Sequence, residues 1–186
     1  MEANGYLPHP DGRGHQRYNK SGQPVDGRLV NDTIRAEMLP WMECHLPARP
    51  RRLLDVGAGN GRLADIFCPL AETVVAVEPD VKLDPRFDHD NLEWHDAGFE
   101  RFWPGEPFDV IVFWGSFYIM APWALRHAAR MLLPDGCVLV VSDVCLDEEY
   151  DLPKLAREAG LTWGERLDVK GGEFRAQLLG RGKRVD

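Results

Sequence analysis

The 186-residue sequence predicts an α/β fold: a doubly wound, mostly parallel, seven-stranded sheet with a C-terminal antiparallel hairpin. Three observations carry this prediction. Apolar, β-rich runs at 53–56, 73–77, 92–94, 108–114 and 137–142 are separated by turn signals, and helical periods lie between most of them. The runs at 73–77 and 108–114 are continuous rather than alternating, as parallel strands buried on both faces should be. A last pair, Leu161–Asp168 and Glu173–Leu179, is joined through Gly171-Gly172 and reads as the closing hairpin.

Taken in order, residues 1–30 are polar and turn-rich, with Pro8, Pro10 and Pro24 among several glycines and no helical or strand period. Within them His15-Gln16-Arg17-Tyr18-Asn19-Lys20 gathers donors, cations and an aromatic ring. Two readings stay open: an arm that folds over a ligand site as a lid, or a disordered leader. Residues 31–186 then form one domain. Asn31 or Asp32 can cap a helix whose apolar side is Ile34, Met38, Leu39, Met42 and Leu46, with Pro40 kinking or splitting it. Pro47 and Pro50 end it before the first buried strand.

That strand, Leu53-Leu54-Asp55-Val56, runs into Gly57-Ala58-Gly59-Asn60-Gly61 and a helix beginning near Gly61, with Leu63, Ile66, Phe67 and Leu70 on its apolar side. Alternate glycines let the backbone take conformations closed to other residues and let a ligand approach without a Cβ in its way. A helix start aims free N–H groups at that ligand. Such a loop suits a nucleoside-bearing cofactor. The dinucleotide fingerprint G-x-G-x-x-G fits poorly, because the third glycine comes one residue early and Arg62 stands where Gly or Ala belongs. The next strand, Thr73–Val77, ends in Glu78-Pro79, and an acid at that point can accept hydrogen bonds from both ribose hydroxyls.

Asp55-x-Gly57-x-Gly59-x-Gly61 resembles the first motif of the class I S-adenosylmethionine-dependent methyltransferases, whose fold is Rossmann-like. The resemblance covers about residues 50–180 and rests as much on element order as on any motif. It implies S-adenosylmethionine as cofactor, held by Asp55, Gly57, Ala58, Gly59, Gly61, Glu78 and Pro79. Residues 79–90 are too rich in Pro and Asp for a long crossover helix, and Leu92-Glu93-Trp94 is a brief strand. Asp96-Ala97 after it resembles the family's third motif, where the acid accepts from the adenine amino group and a neighbouring N–H meets the ring. Phe108–Trp114 is the clearest strand and belongs at the sheet centre; Trp114 joins the cofactor set, and Gly115-Ser116-Phe117-Tyr118 occupies the place of the fourth motif. The Asn/Asp-Pro-Pro-aromatic signature of DNA-amine methyltransferases is absent, which argues against methylation of adenine N6 or cytosine N4.

Pro122 suits the first turn of a helix to about Leu133; Leu133-Pro134-Asp135-Gly136 is a turn, and Cys137–Ser142 a fifth buried strand. Leu152–Ala159 is a short helix closed by Gly160. Only that helix separates the fifth strand from the hairpin, so no substrate domain is inserted there. Candidates for a general base or acceptor contact are His15, Tyr18, Tyr118, His127 and Asp143, with Tyr118 and His15 chosen as catalytic. Tyr18 is also assigned to the cofactor, and Arg17 or Lys20 can hold its carboxylate if the arm closes. Trp114, Phe117, Tyr118 and Trp123 read either as an aromatic acceptor pocket or as packing.

Composition narrows the class. With 44% apolar and 28% charged residues the chain is of ordinary globular type, and no apolar run reaches a membrane span. No signal peptide opens it, so a cytoplasmic location is expected. Cys44, Cys68, Cys137 and Cys145 lack metal-ligand spacing and read as reduced, half-buried core residues; no metal site is implied. The net charge of −8 argues against broad nucleic-acid binding. A small-molecule methyl acceptor is the expected partner. The alternatives are an RNA or protein methyltransferase of the same fold, a non-catalytic S-adenosylmethionine-binding module, and a dinucleotide oxidoreductase.

Overall fold

Continuous apolar runs become the centre of one sheet. A computed structural model describes residues 34–120, 122–143, 150–169 and 174–181, together with two short strands, β1 (Leu7–Pro8) and β2 (His15–Gln16). The main sheet is built from β3 (Arg52–Val56), β4 (Thr73–Val77), β5 (Leu92–His95), β6 (Phe108–Trp114), β7 (Leu132–Asp143), β8 (Leu161–Val169) and β9 (Phe174–Arg181). Its seven strands lie in the order β5-β4-β3-β6-β7-β9-β8. Pairings from β5 through β7 are parallel, and β9 is antiparallel to both β7 and β8. This is the doubly wound sheet with a closing hairpin that the sequence predicts.

The chain moves outward from β3 to β4 and β5, then returns to place β6 on the other side of β3. The carboxyl ends of β3 and β6 therefore meet at a topological switch point, the usual crevice of open α/β sheets. Successive side chains of β3 go to opposite faces: Leu54 and Val56 enter one core, Leu53 the other. The first core is covered by α4 (Trp123–Met131) and α5 (Leu152–Glu158), through Leu125, Ala128, Leu152 and Ala156. The second is covered by α1 (Leu39–His45) and α2 (Ala64–Leu70), through Met42, Ile66 and Phe67. A further short helix, α3 (Phe117–Met120), follows β6.

Several boundaries differ from expectation for local reasons. Pro40 splits the first helix, as anticipated: a π-type turn, Ile34–Met38, precedes α1, because proline has no N–H to continue the ladder. Met38 stands at the start of α1 without a side-chain cap; Asn31 and Asp32 lie outside the described residues. The helix expected near Gly61 starts at Ala64, since Gly61 and its neighbours are spent in turns. β7 begins at Leu132, which pairs with Phe108, and the expected turn 133–136 is absorbed as a bulge before Cys137 pairs with Val110. The loop reading of residues 1–30 missed the antiparallel pairing of Leu7 with Gln16 and Pro8 with His15. Cys68 and Cys137 are buried, but Cys44 is exposed rather than in the core, and Cys145 lies outside the described residues. Among the described residues no helix is long and apolar enough to cross a membrane.

Candidate functional site

The switch point is floored by the loop after β3. Gly57, Gly59 and Gly61 take φ of +72°, +59° and +87°, a region that costs other L-residues about 1–2 kcal/mol. The loop is tied to the neighbouring strand: the Gly57 N–H donates to the Val77 carbonyl at 2.9 Å and the Ala58 N–H to the same oxygen at 3.3 Å. Gly61 closes the turn by donating to the Ala58 carbonyl at 3.1 Å. Across the crevice, the Ser116 hydroxyl after β6 donates to the Val56 carbonyl, and a Cβ on Gly57 would lie 2.5 Å from Ser116 Cβ. Among the described residues a Cβ on Gly59 would meet nothing within 4 Å. Against the described residues the loop therefore packs hard at Gly57 and is open at Gly59.

Glu78, at the end of β4, is turned back over this loop. Its Oε2 accepts from the Gly59 N–H at 3.0 Å and its Oε1 from the Asp80 N–H at 3.1 Å. Each oxygen keeps lone-pair capacity for a further donor. Pro79 follows, exposed. One strand further out, Asp96 stands exposed just past β5, and the Ala97 N–H donates to the His95 carbonyl at 3.0 Å. Register aligns these ends: Val56 pairs with Val77 and with Phe113, and Val77 pairs with His95. The structure thus gathers Asp55, Gly57, Ala58, Gly59, Gly61, Glu78, Pro79, Asp96, Ala97 and Trp114 along one carboxyl edge. Trp114 is half-buried with its side chain against the core of α1 and α2.

Asp55 is the anomaly of the site. It is 2% exposed, and its Oδ1 is buried without a hydrogen-bond partner. Burial, with a smaller contribution from the charge of Glu78, pushes its carboxyl up to about 7.

The acceptor side is less complete. Tyr118 lies in α3, but its side chain is outside the described residues, as are Arg17, Tyr18 and Lys20; His15 is placed only as a strand residue opposite Pro8. Asp143 ends β7 at the carboxyl edge, its side chain likewise outside. His127 is held elsewhere: its Nε2 is 3.1 Å from the Phe102 carbonyl, and its ring lies edge-on to Phe99 at 4.8 Å. Packing accounts for Phe117, which is fully buried edge-on to Phe113 at 5.5 Å, and Trp123 stacks on Phe99 at 5.8 Å while staying 39% exposed.

Three contacts escaped sequence reasoning. Ser116 braces Gly57; its place straight after a central strand was the available signal. Asp80 helps aim Glu78, and the crossover 79–90 folds back so that a Cβ on Gly61 would lie 2.4 Å from Leu83 Cδ1. No sequence period announces that last contact. A shallow cavity lined by Met42, Leu46, Pro50, Leu53 and Leu70 lies at the opposite edge of the sheet, away from these groups. Among the described residues no group of three His, Cys, Asp or Glu side chains is placed to hold a metal ion.

Comparison with known proteins agrees with this geometry. A family model described as a methyltransferase domain matches residues 28–173. A protein-L-isoaspartate O-methyltransferase from Shewanella loihica is 28% identical over 138 residues, covering 69% of this chain. The match spans 62% of that relative's own length. Among solved structures, the N-methyltransferase NodS from Bradyrhizobium japonicum superposes with a TM-score of 0.64 at 15% identity, covering 84% of this chain and 98% of NodS. The 1,6-didemethyltoxoflavin-N1-methyltransferase of Burkholderia thailandensis, solved with 1,6-didemethyltoxoflavin and S-adenosylhomocysteine, superposes at 0.64 with 16% identity, covering 83% and 80% of the two chains.

Proposed function

The chain belongs to the methyltransferase-domain family; from that premise we propose that it binds S-adenosylmethionine as its cofactor and transfers the cofactor's methyl group to an oxygen or nitrogen of a small molecule. The observation that carries the cofactor side is Glu78 clamped onto Gly59 at the switch point, with no described residue within 4 Å of a Cβ placed there. When bound, the cofactor supplies a methyl group already activated on a sulfonium. The protein's task is then alignment and, for a protonated acceptor, removal of a proton.

In this reading the free lone pairs of Glu78 accept the ribose hydroxyls, Asp96 accepts from the adenine amino group, and the Ala97 backbone borders the ring. Asp55, Gly57, Ala58, Gly59, Gly61 and Pro79 form the cradle, with Trp114 beside it. Tyr118 is the first choice for an acceptor contact and His15 for a base. Tyr18, with Arg17 or Lys20, completes the site if residues 1–30 close over it. A small acceptor is favoured by the connection between β7 and α5, where residues 144–151 leave no room for a recognition domain. NodS and the toxoflavin enzyme, both named for N-methylation, share the fold. A protein acceptor is the second reading, favoured by the isoaspartate methyltransferase relative.

The test is isothermal titration with S-adenosylmethionine, S-adenosylhomocysteine and NAD in parallel, followed by a methyl-transfer screen of small amines, small alcohols and isoaspartyl peptides. Binding of the adenosyl ligands and turnover of a small molecule is expected. Binding of NAD alone would overturn the reading, and turnover of the peptides alone would move it to a protein acceptor. Binding without any turnover would leave a non-catalytic module. Glu78→Ala is expected to weaken S-adenosylmethionine binding by about 1.5–3 kcal/mol, the range for hydrogen bonds to a charged group. An unchanged affinity would place the ribose contact elsewhere.

A further inference from the structure

We propose that Asp55 holds a proton in the ligand-free protein and surrenders it to solvent when the cofactor's positive charge arrives, so that cofactor binding is proton-coupled. The inference rests on the cofactor assignment above and gives Asp55, there only part of the cradle, a titrating role. The geometry comes first. Asp55 sits on β3, directly beneath the glycine loop, with its Oδ1 buried and unpartnered. No backbone N–H of the loop serves it: Gly57 and Ala58 donate to Val77, Gly59 to Glu78, and Gly61 to Ala58. An ionised carboxylate stripped of water and of donors is costly; a protonated one is not.

Among the described residues no cation adds to the forces on the Asp55 carboxyl. From β4, Glu78 faces it with a like charge, which together with burial raises the carboxyl to about 7. From α2, Asp65 and Cys68 are the nearby titratable groups; the thiol is pushed up to about 11 by burial and by the charges of Asp65 and Asp55. On β6 its partner is Val112, and the Ser116 hydroxyl is committed to the Val56 carbonyl. Arg62 in the loop is exposed. Among the described residues the Asp55 and Glu78 carboxyls have no counter-ion beside them, and a cationic ligand supplies one. The proton leaves the Asp55 carboxyl for buffer, and no covalent bond changes. Because S-adenosylmethionine needs the ionised form, its affinity weakens as pH falls below about 7 and levels off above it.

The test is calorimetric titration of the full chain with S-adenosylmethionine at several pH values, each in two buffers of different ionisation enthalpy. Release of about one proton per cofactor is expected at about pH 6, fading above about pH 8, with affinity falling about tenfold per unit on the acid side. In Asp55→Asn, which keeps the shape and removes the titration, the release and the pH slope should vanish together; their persistence would overturn the proposal. Carbon-13 NMR of labelled aspartate in the free protein, with Asp55 assigned by the same variant, supplies an arm that needs no ligand. A carboxyl titrating near neutrality is expected, and one titrating in the ordinary acidic range would overturn the proposal. Failure of any adenosyl ligand to bind would sink the cofactor assignment instead, and the NMR arm would still decide the state of Asp55.

Discussion

Gly57→Ala is expected to destabilise the fold by roughly 2–5 kcal/mol, the combined scale of a left-handed residue and an overpacked contact. The added methyl would lie 2.5 Å from Ser116 Cβ, an atom next to the backbone rather than the tip of a flexible chain. Relief would have to move the β6–α3 junction and break the Ser116 bond to Val56. Gly59→Val should behave differently. Among the described residues no heavy atom lies within 4 Å of its Cβ, so the cost to the fold is mainly that of the backbone at φ +59°, about 1–2 kcal/mol. The space it fills is the ligand's approach, so S-adenosylmethionine binding should be lost from a folded protein. Urea unfolding and calorimetry on both variants separate the two effects. A Gly57→Ala protein as stable as wild type would contradict the packing of the switch point. Normal cofactor binding by Gly59→Val would remove the loop from the cofactor site.

The contrast shows what the sequence could and could not disclose about this loop. That the alternate glycines needed special backbone conformations was legible, because few other reasons place three of them straight after a buried strand. Which glycine serves the fold and which the ligand was not, because Ser116 and Leu83 arrive from elements far along the chain. The same division runs through the rest of the molecule. β4 and β6 were readable from Val74–Val77 and from Val110–Phe113, since a strand buried on both faces has no polar positions to blur it. The pairing of Leu7–Pro8 with His15–Gln16 was invisible, because two residues carry no period. At β7, Pro134 and Gly136 read as a turn, and only the neighbouring Phe108 shows that the segment pairs before bulging. Glu78 was picked out by its place at a strand end. Its grip on Gly59 needed the register of β4 against β3. The aromatic run after β6 was read two ways because pocket and core use the same side chains; Phe113 decides for packing at Phe117.

Asp55→Asn is expected to make the protein more stable above neutral pH while weakening its hold on the cofactor. The folded-state pKa of Asp55 is raised from 3.8 to about 7, so the native chain holds an extra proton between those values. Where the native state binds more protons than the unfolded one, stability falls as pH rises. Wild type should therefore lose stability from about pH 4 to about pH 7 and change little from this source above it. At about 1.36 kcal/mol per unit, the full window is worth roughly 4 kcal/mol for this buried group. The asparagine variant lacks the titration, so its advantage should be largest near pH 8 and shrink steadily toward pH 4. Urea midpoints of both proteins across that range measure the gap; a gap independent of pH would mean that Asp55 does not titrate there. A buried acid that destabilises the empty protein is otherwise an odd thing to keep beneath the loop. Its retention makes physical sense if the same unbalanced charge is what a cationic cofactor neutralises, with strain in the empty site offset on binding.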